Sequence, residues 1–157
     1  MEFSDEYWMQ EALQLAKKAA DIGEVPVAAI VVCDQQIVAS AYNLKENLTS
    51  SVAHAEILAI HKASRKMGRW RLSGCTLYST LEPCVMCAGA LVACRLDRLV
   101  YGAKDPKGGA VDSIYRILAD EKLNHQMTVT SAILETECSE ILKIFFKKRR
   151  HLNQKNI

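Results

Sequence analysis

Near the N-terminus, apolar residues recur at the spacing of an amphipathic helix. The apolar stripe consists of Trp8, Ala12, Leu15, Ala16 and Ala19. Ser4 precedes the stripe, where a serine hydroxyl can accept a hydrogen bond from the first turn of a helix. Gly23 and Pro26 follow it, and these residue types end a helix and prevent its continuation. The pattern therefore predicts a first helix between Ser4 and Gly23.

The rest of the chain alternates between short β-branched apolar runs and longer helical patterns. The runs predict strands at 27–33, 37–42, 75–80, 96–101 and 127–134. The helical patterns predict helices from 53 or 54 to about 67, from 83 to about 95 and from 137 to about 150, with a short helix at 114–118. Because helices separate the strands after an initial hairpin, we expect an α/β fold class, a three-layer α/β/α sandwich with a mixed five-stranded sheet.

Length and composition fit one folded domain. The chain has 157 residues, of which 50% are hydrophobic and 24% are charged, so residues 1–157 are expected to form a single domain with a full core. The main apolar runs, 25–33 and 85–94, are too short to span a bilayer. The N-terminal stretch "MEFSDEYW" is acidic and lacks the features of a signal peptide. We therefore expect a cytoplasmic protein without a membrane partner.

Charge is distributed unevenly along the chain. The net charge is only +2, so the sequence as a whole carries no signal for nucleic-acid binding. Residues 141–157, however, hold six basic side chains and no acidic one. Any basic surface is therefore expected to be a local patch at the C-terminal end.

Four residues stand at spacings that suit a metal centre: His54 and Glu56 in "HAEILAI", and Cys84 and Cys87 in "EPCVMCAGAL". Cysteines three apart share one face of a helix. Near a helix N-terminus their thiols ionise more easily, and thiolates are good zinc ligands. The other four cysteines are scattered and mostly flanked by apolar residues, as is common for small core residues.

Counting ligands favours a catalytic zinc over a structural one. His54, Cys84 and Cys87 make three, whereas a structural site would need a fourth protein ligand. His61 lies on the same predicted helix, about 10 Å from His54 by helical rise, and cannot easily join. The fourth position is then expected to hold water, whose pKa zinc can lower toward ~7. Glu56 would serve as the base for that water without being a ligand.

Either pair alone is a weak signal, but His-x-Glu followed by Pro-Cys-x-x-Cys is the signature of zinc nucleobase deaminases. With its flanking residues, the sequence resembles the bacterial tRNA-specific adenosine deaminases over nearly its whole length. The stretches that carry the resemblance are "GEVPVAAIV", "AHAEILAI", "LYSTLEPCVMCAGAL", "RLVYGAKDPKGGA" and the terminal "FFKKRR". The central signature marks the wider superfamily, and "GEVPV" and "DPKGG" indicate the tRNA enzymes.

The resemblance implies a cytidine deaminase-like fold and conversion of the wobble adenosine of a tRNA anticodon to inosine. It implies one Zn²⁺ per chain, held by His54, Cys84 and Cys87, with Glu56 as proton shuttle. The expected partners are a tRNA anticodon stem-loop and a second copy of the chain in a homodimer with the substrate site near its interface.

The resemblance also implies which residues contact the substrate. Asn43 matches a position that hydrogen-bonds the flipped nucleoside, the backbone N–H of Ala55 one that contacts the base, and Val27 one that lines the pocket. Outside the resemblance, Asn43 would be an ordinary loop residue and Val27 an ordinary core residue. In "DPKGG", Asp105 and Lys107 are further candidates, Lys107 for a phosphate, although a plain turn explains this stretch equally well.

The C-terminal "FFKKRRH" combines aromatic and basic residues. Phe145 and Phe146 could stack on unpaired bases, while cations such as Arg149 meet phosphates. Alternatively, the phenylalanines face the core and the cations suit the C-terminus of a helix. Because neighbours on a helix point about 100° apart, we expect one of the two phenylalanines to be a core residue.

Two other functions remain open at this stage. The chain could be a member of the wider superfamily that acts on a free base or nucleotide, such as guanine or cytosine. The basic tail and "DPKGG" argue against this alternative. The chain could also be a zinc-stabilised module without activity, but an inactive protein would have no need of Glu56.

Overall fold

The computed structural model describes residues 2–155, which form four α-helices, five β-strands and one 3₁₀ turn. The helices are α1 (Asp5–Asp21), α2 (Ala55–Met67), α3 (Val85–Ala93) and α4 (Glu135–Lys155). The strands are β1 (Ala28–Cys33), β2 (Gln36–Tyr42), β3 (Cys75–Leu81), β4 (Arg98–Ala103) and β5 (Thr128–Thr130), and the 3₁₀ turn spans Ile117–Ala119.

The strands form one mixed sheet in the order β2-β1-β3-β4-β5. β1 pairs antiparallel with both β2 and β3, whereas β3, β4 and β5 run parallel to one another. Parallel neighbours need a crossover connection, and α3 provides it between β3 and β4. The predicted mixed five-stranded sheet is thus confirmed.

Side chains on β1 alternate between two cores, which confirms the predicted three layers. Ala29 and Val31 pack with α2 and α3 on one face of the sheet, and Ile30 and Val32 pack with α1 on the other. α4 lies on the same face as α1. A strand buried on both faces is expected to be continuously apolar, as β1 is.

The predicted helix ends are largely confirmed where capping residues mark them. The Ser4 side chain accepts a hydrogen bond from the backbone N–H of Tyr7 at 3.1 Å, as the N-cap of α1. Gly68 adopts a left-handed conformation (φ 68°) at the C-terminus of α2, which a glycine tolerates without steric cost.

Several predicted boundaries were wrong. β5 covers three residues instead of 127–134, because Ala132 and Leu134 both adopt positive φ and interrupt the extended backbone. β4 begins two residues later than predicted, after a turn in which Arg95 has φ 60°. The short helix predicted at 114–118 is only the 3₁₀ turn, and α4 extends to Lys155 instead of about 150.

The two main apolar runs lie inside the fold. Residues 28–33 form the interior strand β1, and residues 85–93 form the nine-residue helix α3, whose inner face is buried. Across residues 2–155, no helix combines the length and the apolar composition that a membrane crossing requires.

Several chain segments converge at one edge of the sheet. β3 and β4 end there at Leu81 and Ala103, and β1 begins there at Ala28. In a sheet with parallel strands, the carboxyl ends of the strands are where a ligand crevice commonly lies. This edge carries the candidate site.

Candidate active site

The N-termini of α2 and α3 bring two of the predicted metal ligands together. His54 is the N-cap residue of α2 and Cys84 that of α3, and both have extended backbone conformations. Helix α3 therefore begins two residues after its predicted start at residue 83, and only Cys87 lies in its first turn. The two N-cap side chains meet, with 3.6 Å between Nδ1 of His54 and Sγ of Cys84.

His54, Cys84 and Cys87 form a compact group although 30 residues separate His54 from Cys84. The Nδ1 atom of His54 lies 3.6 Å from Sγ of Cys84 and 3.6 Å from Sγ of Cys87. The three ligand atoms all lie within 4.8 Å of one another. Among the residues that the structure describes, no fourth His, Cys, Asp or Glu belongs to this group. The group could hold a metal ion.

The two sulfur atoms favour a negative charge at Cys84. A hydrogen bond from the Cys87 thiol, aided by His54, lowers the pKa of Cys84 to about 3. The same contact, together with burial, raises the pKa of Cys87. His54 in turn has a raised pKa, chiefly because its ring bonds to Cys84. Of the two thiols, Cys84 therefore loses its proton readily, and a cation at the group would favour loss of the proton from Cys87 as well.

Glu56 lies in the first turn of α2, beside the ligand group and outside it. Its side chain is buried, with a relative exposure of 4%. Burial raises the pKa of Glu56, and its contacts with Cys87 and with the charge of His54 offset this only in part. A carboxylate whose pKa is raised by burial is a stronger base than an exposed one and can exchange a proton with neighbouring groups.

A cavity of about 200 Å³ opens over the ligand group. Of the predicted substrate contacts, Val27, Asn43, Ala55 and Asp105 line it, as do His54, Glu56 and Cys84. The backbone N–H of Asn43 donates to the carbonyl oxygen of Val27 at 3.0 Å, which continues the edge of β1 into the cavity wall. Seven of the predicted site residues therefore line the cavity, and Cys87 joins them as the third member of the ligand group.

The remaining predicted contacts lie outside this cavity. Lys107 and Phe146 line a neighbouring groove, which shares Val25, Leu81 and Asp105 with the cavity. The guanidinium of Arg149 lies 5.1 Å above the ring of Phe145, a cation–π contact. Phe146 is 39% exposed and Phe145 is half-buried, outside both core clusters of the described residues. The expectation that one of the pair is a core residue was wrong.

Sequence analysis missed two cavity-lining residues with charged side chains. Lys45 lies in the polar loop after Asn43, and a single lysine in such a loop carries no distinctive signal. Glu82 is a buried carboxylate directly before Pro83 and Cys84. Glu82 stands directly before the Pro-Cys-x-x-Cys signature and after an apolar strand. This position could have identified it as a buried carboxylate with specific partners, because glutamate is seldom buried without them.

Comparison with known proteins identifies relatives over nearly the whole chain. Residues 3–150 match the family described as MafB19-like deaminase. The tRNA-specific adenosine deaminase of Bacillus subtilis (strain 168) is 49% identical over 93% of this chain and 91% of that protein. The protein of the same name from Haemophilus influenzae is 46% identical over 93% of this chain and 85% of its own.

Solved structures agree with this relationship. One from studies of A-to-I editing by tRNA:A34 deaminases has a TM-score of 0.84 and 43% identity, and covers 87% of this chain and 99% of that one. The guanine deaminase of Nitrosomonas europaea is more distant, with a TM-score of 0.76 and 25% identity over 90% of this chain and 84% of that one. These likenesses confirm the expected cytidine deaminase-like fold. With the sequence relatives, they establish that the chain belongs to the family of tRNA-specific adenosine deaminases.

Proposed function

We propose that this enzyme hydrolyses the exocyclic amino group of the wobble adenosine in a tRNA anticodon, which leaves inosine and ammonia. The observation that carries the proposal is the group of His54, Cys84 and Cys87 with buried Glu56 beside it, at the base of a small cavity. The tRNA substrate follows from the relatives, which are named for it.

His54, Cys84 and Cys87 would hold one Zn²⁺ ion. Tetrahedral zinc with bonds of about 2.3 Å to sulfur and about 2.05 Å to nitrogen places those two ligand atoms about 3.6 Å apart. Both sulfur–nitrogen distances in the group are 3.6 Å, which supports this assignment. Three protein ligands are typical of a catalytic zinc. When bound, the ion supplies a Lewis acid that makes water a nucleophile near neutral pH.

Glu56 would move the protons of the reaction. It accepts a proton from the attacking water and delivers it to N1 of adenine as the oxygen adds to C6. It then takes the proton of the new C6 hydroxyl and transfers it to the amino group, so that the C6–N bond breaks, ammonia leaves and the C6 carbonyl of inosine forms. Its burial keeps bulk water away from the carboxyl, so the proton passes between Glu56 and the substrate.

The cavity wall would fix the base and its ribose. Val27 and Ala55 offer apolar surface and a backbone edge to the adenine ring, and the Asn43 amide can donate and accept hydrogen bonds. Glu56 is buried, so a base that remains stacked in a helix cannot reach it, and the wobble nucleotide must turn out of the anticodon loop to enter the cavity.

The neighbouring groove would bind adjacent nucleotides of the anticodon stem-loop. Phe146 exposes an aromatic face there, and Lys107 and Arg150 bring positive charge. Aromatic faces stack on unpaired bases, and cations neutralise phosphates. Asp105 lies in both the cavity and the groove and would stand between the flipped nucleotide and its neighbour. In α4, the guanidinium of Arg149 packs on the ring of Phe145, so the two side chains would contact the RNA together.

Replacing three exposed cations of α4, Lys147, Lys148 and Arg150, with alanine should weaken tRNA binding and flatten its salt dependence. At about −0.7 per phosphate on single strands, losing three contacts changes the slope of log K against log salt by about 2. Filter binding or fluorescence anisotropy at several salt concentrations measures this slope. The control is Arg65→Ala/Lys66→Ala, which removes two exposed cations from the other face of the sheet and should leave the slope nearly unchanged. An unchanged slope in the α4 variant would show that these cations only solvate the helix.

The chain would act as a homodimer. An apolar groove between α2 and α3 is lined by Ile57, Ile60, Ala90 and Ala93, and Trp70 at its rim is 57% exposed. This groove lies on the helices whose N-termini hold the ligand group, so a second copy bound there would sit near the cavity. Sedimentation at twice the chain mass of 17.5 kDa would support the dimer, and sedimentation at that mass would refute it. We place the enzyme in the cytoplasm, where its tRNA substrate is found.

A free-base deaminase is the second candidate, because the guanine deaminase noted above shares the fold. Incubating the zinc-loaded protein with a tRNA pool and sequencing for adenosine-to-inosine changes tests the proposed function directly. In a second assay, ammonia release is compared among an anticodon stem-loop, free guanine and cytidine. We expect release from the stem-loop only. Turnover of guanine at a comparable rate, without editing of tRNA, would overturn the proposal in favour of the second candidate.

A further inference from the structure

Glu82 is almost fully buried, with a relative exposure of 2%, yet within residues 2–155 no cation donates a hydrogen bond to its carboxylate. Instead, every donor comes from the loop after β4. Oε2 accepts three backbone N–H groups, from Val111 at 3.1 Å, Asp112 at 2.8 Å and Ser113 at 2.9 Å. Oε1 accepts the backbone N–H of Asp105 at 3.1 Å and the Ser113 hydroxyl.

These donors outweigh the cost of burial. Burial would raise the pKa of Glu82, but hydrogen bonds from the amides and the hydroxyl hold the pKa below its usual value. The loop also leaves room for the carboxylate, because a side chain at Gly109 would collide with it. Gly109 has no positive φ, so close approach is the reason that a glycine fits there.

The loop that Glu82 holds forms one wall of the cavity and of the groove. Asp105 lines both, and Lys107 lines the groove. Asp105 also accepts the backbone N–H groups of Lys107 and Gly108 at 3.1 and 3.2 Å, so fixing Asp105 fixes the turn that carries Lys107. Oε1 of Glu82 thus holds the substrate-facing end of the loop through Asp105 and also contacts Ser113, whereas Oε2 contacts only the far end.

We propose that Glu82 is a positioning residue for substrate binding: through Oε1 it sets the place of Asp105 and Lys107 against the RNA. This inference rests on the proposed function. The carboxylate is occupied by the loop and takes no part in proton transfer, so it acts on affinity and leaves the chemical step alone.

Glu82→Gln separates the two ends of the loop. The glutamine carbonyl can keep the three N–H groups of residues 111–113, and the Ser113 hydroxyl can turn to accept from the new amide. The N–H of Asp105, however, would then face another N–H donor. Only the substrate-facing end should therefore loosen, and its backbone amides should exchange faster than those at 111–113.

The kinetic test measures kcat and KM of the zinc-loaded Glu82→Gln protein on an anticodon stem-loop. We expect KM to rise about tenfold, as for the loss of one well-placed polar contact, with kcat within about twofold and zinc content unchanged. The matched control is Asp5→Asn, at the opposite edge of the sheet. Asp5 is also a hydrogen-bonded carboxylate, which accepts from Tyr78 and Arg98, so this control tests the general effect of neutralising a paired carboxylate and should leave KM unchanged.

Ser113→Ala provides a milder second variant, in case Glu82→Gln does not fold. It removes one donor to Oε1, leaves all backbone donors in place, and should raise KM about twofold. An unchanged KM in both variants, or a fall in kcat at constant KM, would overturn the inference while the wild type still edits tRNA. Absence of editing by the wild type would instead refute the proposed function.

Discussion

We expect Glu56→Ala to lower kcat for inosine formation by about 10³-fold, because general acid–base catalysis by one residue contributes about 10²- to 10⁴-fold. Glu56 stands beside the ligand group and not within it, so the variant should keep its full zinc content and its fold. Metal analysis, circular dichroism and single-turnover kinetics on an anticodon stem-loop measure the three quantities separately. Retained activity near that of the wild type would remove Glu56 from the reaction.

Glu137→Ala is the matched control for this experiment. Glu137 is also an acidic residue in the first turn of a helix, so both variants lose the same favourable interaction with the helix dipole. Glu137 is exposed and lies on α4, away from the ligand group. It should therefore show normal turnover. A loss in both variants would point to a general effect of removing charge from a helix N-terminus.

The second large effect should come from Cys84→Ser, which we expect to lose zinc and activity together. Cys84 contributes one of two sulfurs and carries the lowered pKa that favours a thiolate, whereas a serine hydroxyl stays protonated and binds zinc poorly. Zinc per chain, measured by mass spectrometry after dialysis, should fall from about one to near zero. The melting temperature should fall as well, because an ion that binds only the folded state stabilises it.

Cys33→Ser controls for the general effect of replacing a cysteine. Cys33 is a half-buried free cysteine at the end of β1, outside the ligand group. Its replacement should leave zinc content and turnover unchanged. Full zinc occupancy in Cys84→Ser would refute the assignment of this sulfur as a ligand.

The metal-binding group could be predicted because its information is local. Pro83 and the three-residue spacing of Cys84 and Cys87 fix two ligands on one helix start, and His54 marks another. The sheet followed from β1, whose unbroken apolar run indicates a strand covered on both faces. These features are determined by residues close together in the sequence, so local patterns are enough to predict them.

Other features depend on contacts between distant segments and could not be predicted. The role of Glu82 exists only because donors 23 to 31 residues away fold onto its carboxylate. The early end of β5 arises from left-handed conformations at Ala132 and Leu134, residue types that carry no signal for them. The placement of Phe145 and Phe146 depended on how α4 lies against the sheet, which helical periodicity alone does not determine.

The seating of His54 and Cys84 at two separate helix starts has a consequence for how the chain holds together. A bound ion there would act as a cross-link that closes a loop of 30 residues and encloses all of α2 and β3. By the entropy model for covalent bridges, closing such a loop lowers the conformational entropy of the unfolded chain, which stabilises the folded state by about 3.6 kcal/mol. The same ion that serves the chemistry would thus stabilise the packing of α2 and β3 in the folded chain.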